Sequence, residues 1–167
     1  YIIVLDRPPE NITAIRLQPT THNQLEFNGP GRASNFVLTS FELTVTHADK
    51  QPRPIKLHDA VADFTQSSFD VKHTLNPNAE SGWAIWDGEL KTSIDRQAIF
   101  FLAEPLTLTA GEQLTITLRH QSKHAKHTLG YFKFAATTDA KPSLDLADTP
   151  PTLIASILIT PVGSWDS

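Results

Sequence analysis

The sequence contains no cysteine, so disulfides, thiolate nucleophiles and cysteine-based zinc sites are excluded, while the redox compartment stays open. Methionine is missing as well, even at position 1. The expectation is a processed chain or a piece of a longer protein, with any signal peptide already removed. Long apolar runs are absent: the longest, such as Leu153–Ile159, fall well short of the roughly 20 residues that cross a membrane. Excess positive charge is absent too. With 14 basic and 18 acidic residues the formal net charge is -4, which argues against bulk binding to nucleic acid or to an anionic membrane surface. Glycine numbers only 7, and the one glycine-rich turn, Gly29-Pro30-Gly31-Arg32, is too short for a phosphate loop and does not lead into a helix. There is no G-x-S-x-G elbow, no H-E-x-x-H and no C-x-x-C-H. A glycosidase would need two acids facing each other across a groove, and no carboxylate is marked out for that by its neighbours. The chain therefore reads as a non-enzyme.

What is present is a β pattern. Twelve prolines punctuate short apolar runs whose alternation is closer to period 2 than to 3.6. One strand is expected at Ile12–Leu17 and a long one at Asn35–His47, where Phe41, Leu43 and Val45 face a core and Glu42, Thr44 and Thr46 face water. Further strands are expected at Ile55–Phe64, Gly82–Trp86, Gln97–Leu102, Leu114–Arg119 and Leu129–Thr137. His120–Thr128 is polar and reads as the link between two antiparallel neighbours. Helical signals are few: a single turn within Phe69–Leu75, stopped by Asn76-Pro77, and a short C-terminal helix opening at Thr149-Pro150-Pro151. Seven or eight short strands with regular turn signals predict an all-β fold, a jelly-roll β-sandwich over residues 1–138, followed by a linker and short helical extension over 139–167.

The chemistry concentrates in Arg119–Lys133. That segment holds Arg119, Lys123, Lys126 and Lys133, three histidines and no acid, whereas the rest of the chain carries 10 basic and 18 acidic residues. Such asymmetry focuses a positive field on one loop of an acidic body and would attract a uronate or a sulfate. The plainer alternative is a solvated hairpin loop. His120, His124 and His127 would share one face of a helix, but between strands that spacing does not assemble a metal site. Trp83 and Trp86 lie three apart, hence on opposite sides of a strand; Trp83 is assigned to the core and Trp86 to the surface. An exposed indole beside polar groups stacks on the apolar C–H face of a sugar, whereas a buried one simply fills volume. Asn28, Arg32 and Asn35 flank the Gly-Pro-Gly turn. Arg32 can clamp a carboxylate in bidentate fashion or pin the turn itself.

An ordered set of segments resembles a module found within large planctomycete-type multidomain proteins that carry a cytochrome c-like domain. The segments are Asn11–Leu17, Gly29–Ala33 with Asn35–Glu42, Ala62–Gln66, Gly82–Ile85, Ala98–Pro105 and His127–Lys133. The resemblance implies a galactose-binding-like (discoidin-type) jelly roll, a scaffold often used to bind carbohydrate. It also implies an exported protein, periplasmic or extracellular, and a position beside haem domains although this chain has no haem motif of its own. The chain departs from the pattern in carrying Asn76-Pro77-Asn78 in place of an aspartate-glycine turn, and Tyr131 in place of an arginine.

The functional expectation is a non-catalytic carbohydrate-binding module for an acidic, uronate-type polysaccharide. Arg32, Lys123 and Lys126 would supply charge, His124 and His127 hydrogen bonds, and Trp86 or Tyr131 a stacking ring. The alternative is a structural or protein-interaction module that docks neighbouring domains, the cytochrome c-like one included. No cofactor is expected in the chain. A structural calcium is open, with Asp63, Asn76 and Asn78 as oxygen donors.

Overall fold

The structure is a computed structural model and describes residues 1–5, 8–77, 80–88, 93–124 and 126–144. The C-terminal helix expected after Thr149, the linker from residue 145 on, and Asn78 lie outside the described residues.

Two four-stranded antiparallel sheets face each other. One has the order β1 (Ile2–Leu5), β9 (Glu112–Arg119), β4 (Ser40–His47), β5 (Lys50–Ile55). The other runs β10 (Tyr131–Thr137), β2 (Ile12–Thr20), β8 (Ala98–Leu106), β6 (Leu57–Ala62). A two-stranded ribbon, β3 (Val37–Leu38) with β7 (Trp83–Ala84), completes the strands, and the fold is an all-β sandwich. The alternation seen in the sequence is the reason. Phe41, Leu43 and Val45 on β4 and Leu114, Ile116 and Leu118 on β9 are all buried, and they meet Ile15, Leu17, Phe100, Phe132 and Phe134 from the opposite sheet. The rings of Phe41 and Phe100 stack across the interface with centroids 3.7 Å apart.

The strand expected over Asn35–His47 is two strands. Thr39 breaks it: its N–H and hydroxyl both donate to the Arg119 carbonyl, at 2.8 and 3.0 Å. Before the break the chain pairs with β7, and after it with β9 and β5. The apolar phase slips at the same place, from Phe36 and Leu38 at even positions to Phe41, Leu43 and Val45 at odd ones, so the two pieces serve different sheets. Of the strand expected over Ile55–Phe64, Leu57–Ala62 forms β6, while Ile55 is the last residue of β5, a strand of the other sheet that was not expected. β1 was not foreseen, its four residues being too short a run to show a period.

A second correction concerns His120–Thr128. It does not join strands that are neighbours in one sheet: β9 lies between β1 and β4, whereas β10 pairs with β2 in the other sheet. The segment therefore crosses one end of the sandwich. Its backbone is tied down there, with the His127 carbonyl accepting from Val37 N–H and the Thr128 carbonyl from Arg32 N–H, both at 2.9 Å. The turn within Phe69–Leu75 is a 3-10 turn over Val71–Leu75, capped by the Asp70 side chain on Lys72 N–H.

Candidate functional site

The ribbon and the crossing loop meet at an open cleft of about 390 Å³. One wall is the segment before and within β3, with Ala33, Asn35 and Val37; the other carries Gln66, Phe69 and Trp86. His124 and His127 close the end.

Each wall is held by short-range chemistry. Trp83 is fully buried, with its indole N–H donating to the Phe64 carbonyl at 2.9 Å and its ring edge-on to Phe36. Trp83, Ala84 and Ile85 are all fully buried, and the chain reaches the surface at Trp86, two residues beyond the end of β7, where the side chain is 39% exposed. Asn35 is the hinge between the walls. Its side-chain carbonyl accepts from the buried Ile85 N–H at 3.0 Å, and its amide donates to Gln66 Oε1 at 3.3 Å. The same Gln66 oxygen accepts from Trp86 N–H at 3.2 Å. One asparagine and one glutamine thus set the height of the tryptophan.

His124 and His127 stack on each other, with ring centroids 4.9 Å apart and planes 21° off parallel. Burial and the neighbouring His124 hold the His127 imidazole below its ordinary pKa, opposed by the nearby Glu26 carboxylate. His127 Nδ1 is buried without a partner. Lys123 and Lys126 flank the pair, both exposed, and neither forms an ion pair among the described residues.

The cleft brings together Trp86, His124 and His127 from the expected set, with Lys123 and Lys126 beside them in the same loop. Two candidates stand elsewhere. Tyr131 is 3% exposed, stacked on His22 at 3.8 Å with its hydroxyl donating to Gln24 Oε1. The 21–25 segment covers it, so it is not a free stacking ring. Arg32 does not line the cleft; its Nε donates to the Tyr1 hydroxyl at 3.3 Å while its backbone pins the turn to Thr128.

The positive segment is also smaller than its composition suggests. Arg119 is committed to Glu42, Nε to Oε1 at 3.0 Å, and Lys133 sits on β10 in the opposite sheet from Arg119. His120 is a structural histidine rather than a rim group. Its Nε2 accepts from Leu129 N–H at 3.3 Å and its ring packs edge-on against Tyr1. Desolvation, reinforced by the positive N-terminus, lowers its pKa to about 3. The three histidines therefore do not converge, and no group of three or more His, Asp or Glu among the described residues is placed to hold a metal ion. Of the calcium candidates, Asp63 accepts from Gln97 N–H at 3.1 Å and burial raises its carboxyl pKa. Asn76 caps the 3-10 turn.

Gln66 and Phe69 were not singled out by sequence reasoning. Gln66 is an ordinary polar residue at the end of a strand-rich run, and only the fold brings it under Trp86. Comparison with known protein families, with curated proteins and with solved structures finds no match to the chain.

Proposed function

We propose that this domain is a non-catalytic carbohydrate-binding module of the galactose-binding-like jelly-roll kind, which takes an acidic, uronate-type polysaccharide along the cleft. The observation that carries the reading is the partly exposed Trp86 indole at a largely apolar cleft edged by Asn35, Gln66 and the histidine pair. A sugar ring offers an apolar C–H face and a rim of hydroxyls, and such a site offers a ring to stack on with donors and acceptors beside it. Lys123 and Lys126 bias the choice toward anionic chains and make binding salt-sensitive. The module would belong to a longer exported protein with a cytochrome c-like neighbour, raising the local concentration of polysaccharide there.

Calorimetry and affinity electrophoresis on a panel of acidic and neutral polysaccharides test this. Trp86→Ala is expected to cost at least tenfold in affinity, about 1.4 kcal/mol, while leaving the melting temperature unchanged. Absence of retention on every glycan would defeat the reading.

A second reading, docking of a neighbouring domain, has its own observation. Ile2 and Val4 are 74% and 48% exposed on β1, which ends its sheet. The other outer strand of that sheet, β5, carries Lys50, Pro52, Arg53 and Pro54, which discourage strand addition, and β1 carries no such guard. It predicts capture of the adjoining domain expressed separately, lost in Ile2→Lys/Val4→Lys, with no response to sugar.

A further inference from the structure

The lysines are the obvious readers of a negative ligand, but they do not line the cleft; the histidines do. Resting on the carbohydrate reading above, we propose that the stacked His124–His127 pair reads the carboxylate of a uronate ring bound against Trp86, so that acidic-glycan binding is coupled to uptake of a proton.

The geometry supplies the reason. Rings 4.9 Å apart and nearly parallel are close enough that a charge on one opposes a charge on the other. His127 Nδ1 is enclosed without an acceptor, so protonating that nitrogen would bury an unmet N–H, and the other ring nitrogen is left to face a ligand. His127 thus serves as the neutral donor, and the more exposed His124 is where charge is added. An anion lodged at the pair offsets the repulsion and draws the proton in. By linkage, the pair then binds the anion more tightly in its protonated state.

Lys123 and Lys126 lie on the same loop, outside the cleft lining. Glu26, on the 3-10 turn Glu26–Asn28, favours a proton on His127. Arg32 is turned to the Tyr1 hydroxyl. Across the cleft, Asp70 is occupied with Lys72 N–H, and Asp87 follows Trp86. Of these groups, the histidine pair alone lines the cleft.

Calorimetry with an oligogalacturonate and its fully methyl-esterified counterpart separates charge from ring shape. Affinity for the acid should rise about fivefold from pH 8 to pH 5.5, the size of one added charge pair near 4 Å in water. Paired titrations in buffers of different ionisation enthalpy should show net proton uptake for the acid only. The ester should show neither effect. His124→Gln, at an exposed position with little risk to folding, should flatten the pH profile for the acid and narrow its preference over the ester; His127→Gln should weaken both ligands. If acid binding is independent of pH and its preference over the ester disappears in Lys123→Ala/Lys126→Ala, the lysines are the readers and the inference is overturned with the carbohydrate reading intact. If neither ligand binds at either pH while other glycans do, the uronate assignment fails. Failure of every glycan removes the reading beneath it.

Discussion

Replacing Asn35 tests whether the cleft is set by one buried amide. Asn35→Ala removes the acceptor of the Ile85 N–H, made at 3.0 Å where Ile85 is fully buried, and the donor to Gln66 Oε1 at 3.3 Å. A buried donor left unmet costs about 1–3 kcal/mol. For a chain of this size that lowers the melting temperature by roughly 2–10 °C. Asn35→Asp is the sharper variant. Its carboxylate still accepts from Ile85, but it sets oxygen against Gln66 Oε1, which cannot turn away without abandoning the Trp86 N–H at 3.2 Å. Protonated, the aspartic acid can donate to Gln66 as the asparagine does. Burial and that oxygen raise its folded pKa above the ordinary value of about 3.9. The variant's stability relative to wild type should therefore be fullest below about pH 4 and decline as the pH rises through the raised folded value. Thermal melts of the three proteins between about pH 4 and 7, taken as differences from wild type, measure this. An unshifted Asn35→Ala melt, or an Asn35→Asp difference flat across that range, would refute the argument that this amide organises the site.

Acid should destabilise the domain through His120. Its pKa is depressed to about 3 because the ring is largely removed from water and because the positive N-terminus lies close by. The unfolded chain binds a proton near pH 6.5, so this stability is complete above that value and is lost as the pH falls toward 3, about 2 kcal/mol by pH 5. His120→Phe should flatten that part of the denaturant-derived stability profile, and an unchanged profile would show that His120 is not its source. Gly82 has φ +152°, and a Cβ there would overlap the Leu38 carbonyl across the β3–β7 ribbon. Gly82→Ala should cost at least ~1–3 kcal/mol in chemical denaturation and disturb Trp83 fluorescence; a wild-type midpoint would contradict the close approach. The exposed Arg119–Glu42 pair should matter little, with Glu42→Gln shifting stability by less than about 1 kcal/mol.

Much of the architecture was written in local pattern. The alternation of Phe41, Leu43 and Val45 and of Leu114, Ile116 and Leu118 dictates half-buried strands whatever their partners, because a side-chain period of 2 leaves only one face for a core. Trp83 is buried and Trp86 exposed, as expected, but not by strand alternation: β7 covers only Trp83–Ala84, Ala84 and Ile85 are buried as well, and Trp86 emerges where the chain leaves the ribbon. Which strands pair is another matter. β9 and β10 are consecutive in the chain yet fall in different sheets, since pairing is decided by contacts between residues far apart in sequence that carry no local mark.

The same division runs through the site. Composition singled out the loop with Lys123, His124, Lys126 and His127, but charge counting could not see that Arg119 is taken by Glu42, that His120 is held in the structure by Leu129 N–H, or that Tyr131 is roofed by His22 and Gln24. The chain alone determined the half-buried strands β4 and β9 and the clustering of basic residues, both of which depend on neighbours within a few positions. Only the tertiary structure decided that Asn35 and Gln66 would meet under Trp86, opposite a loop that arrives some 60 residues after Gln66, because burial and long-range hydrogen bonds exist only once the sheets have closed on each other.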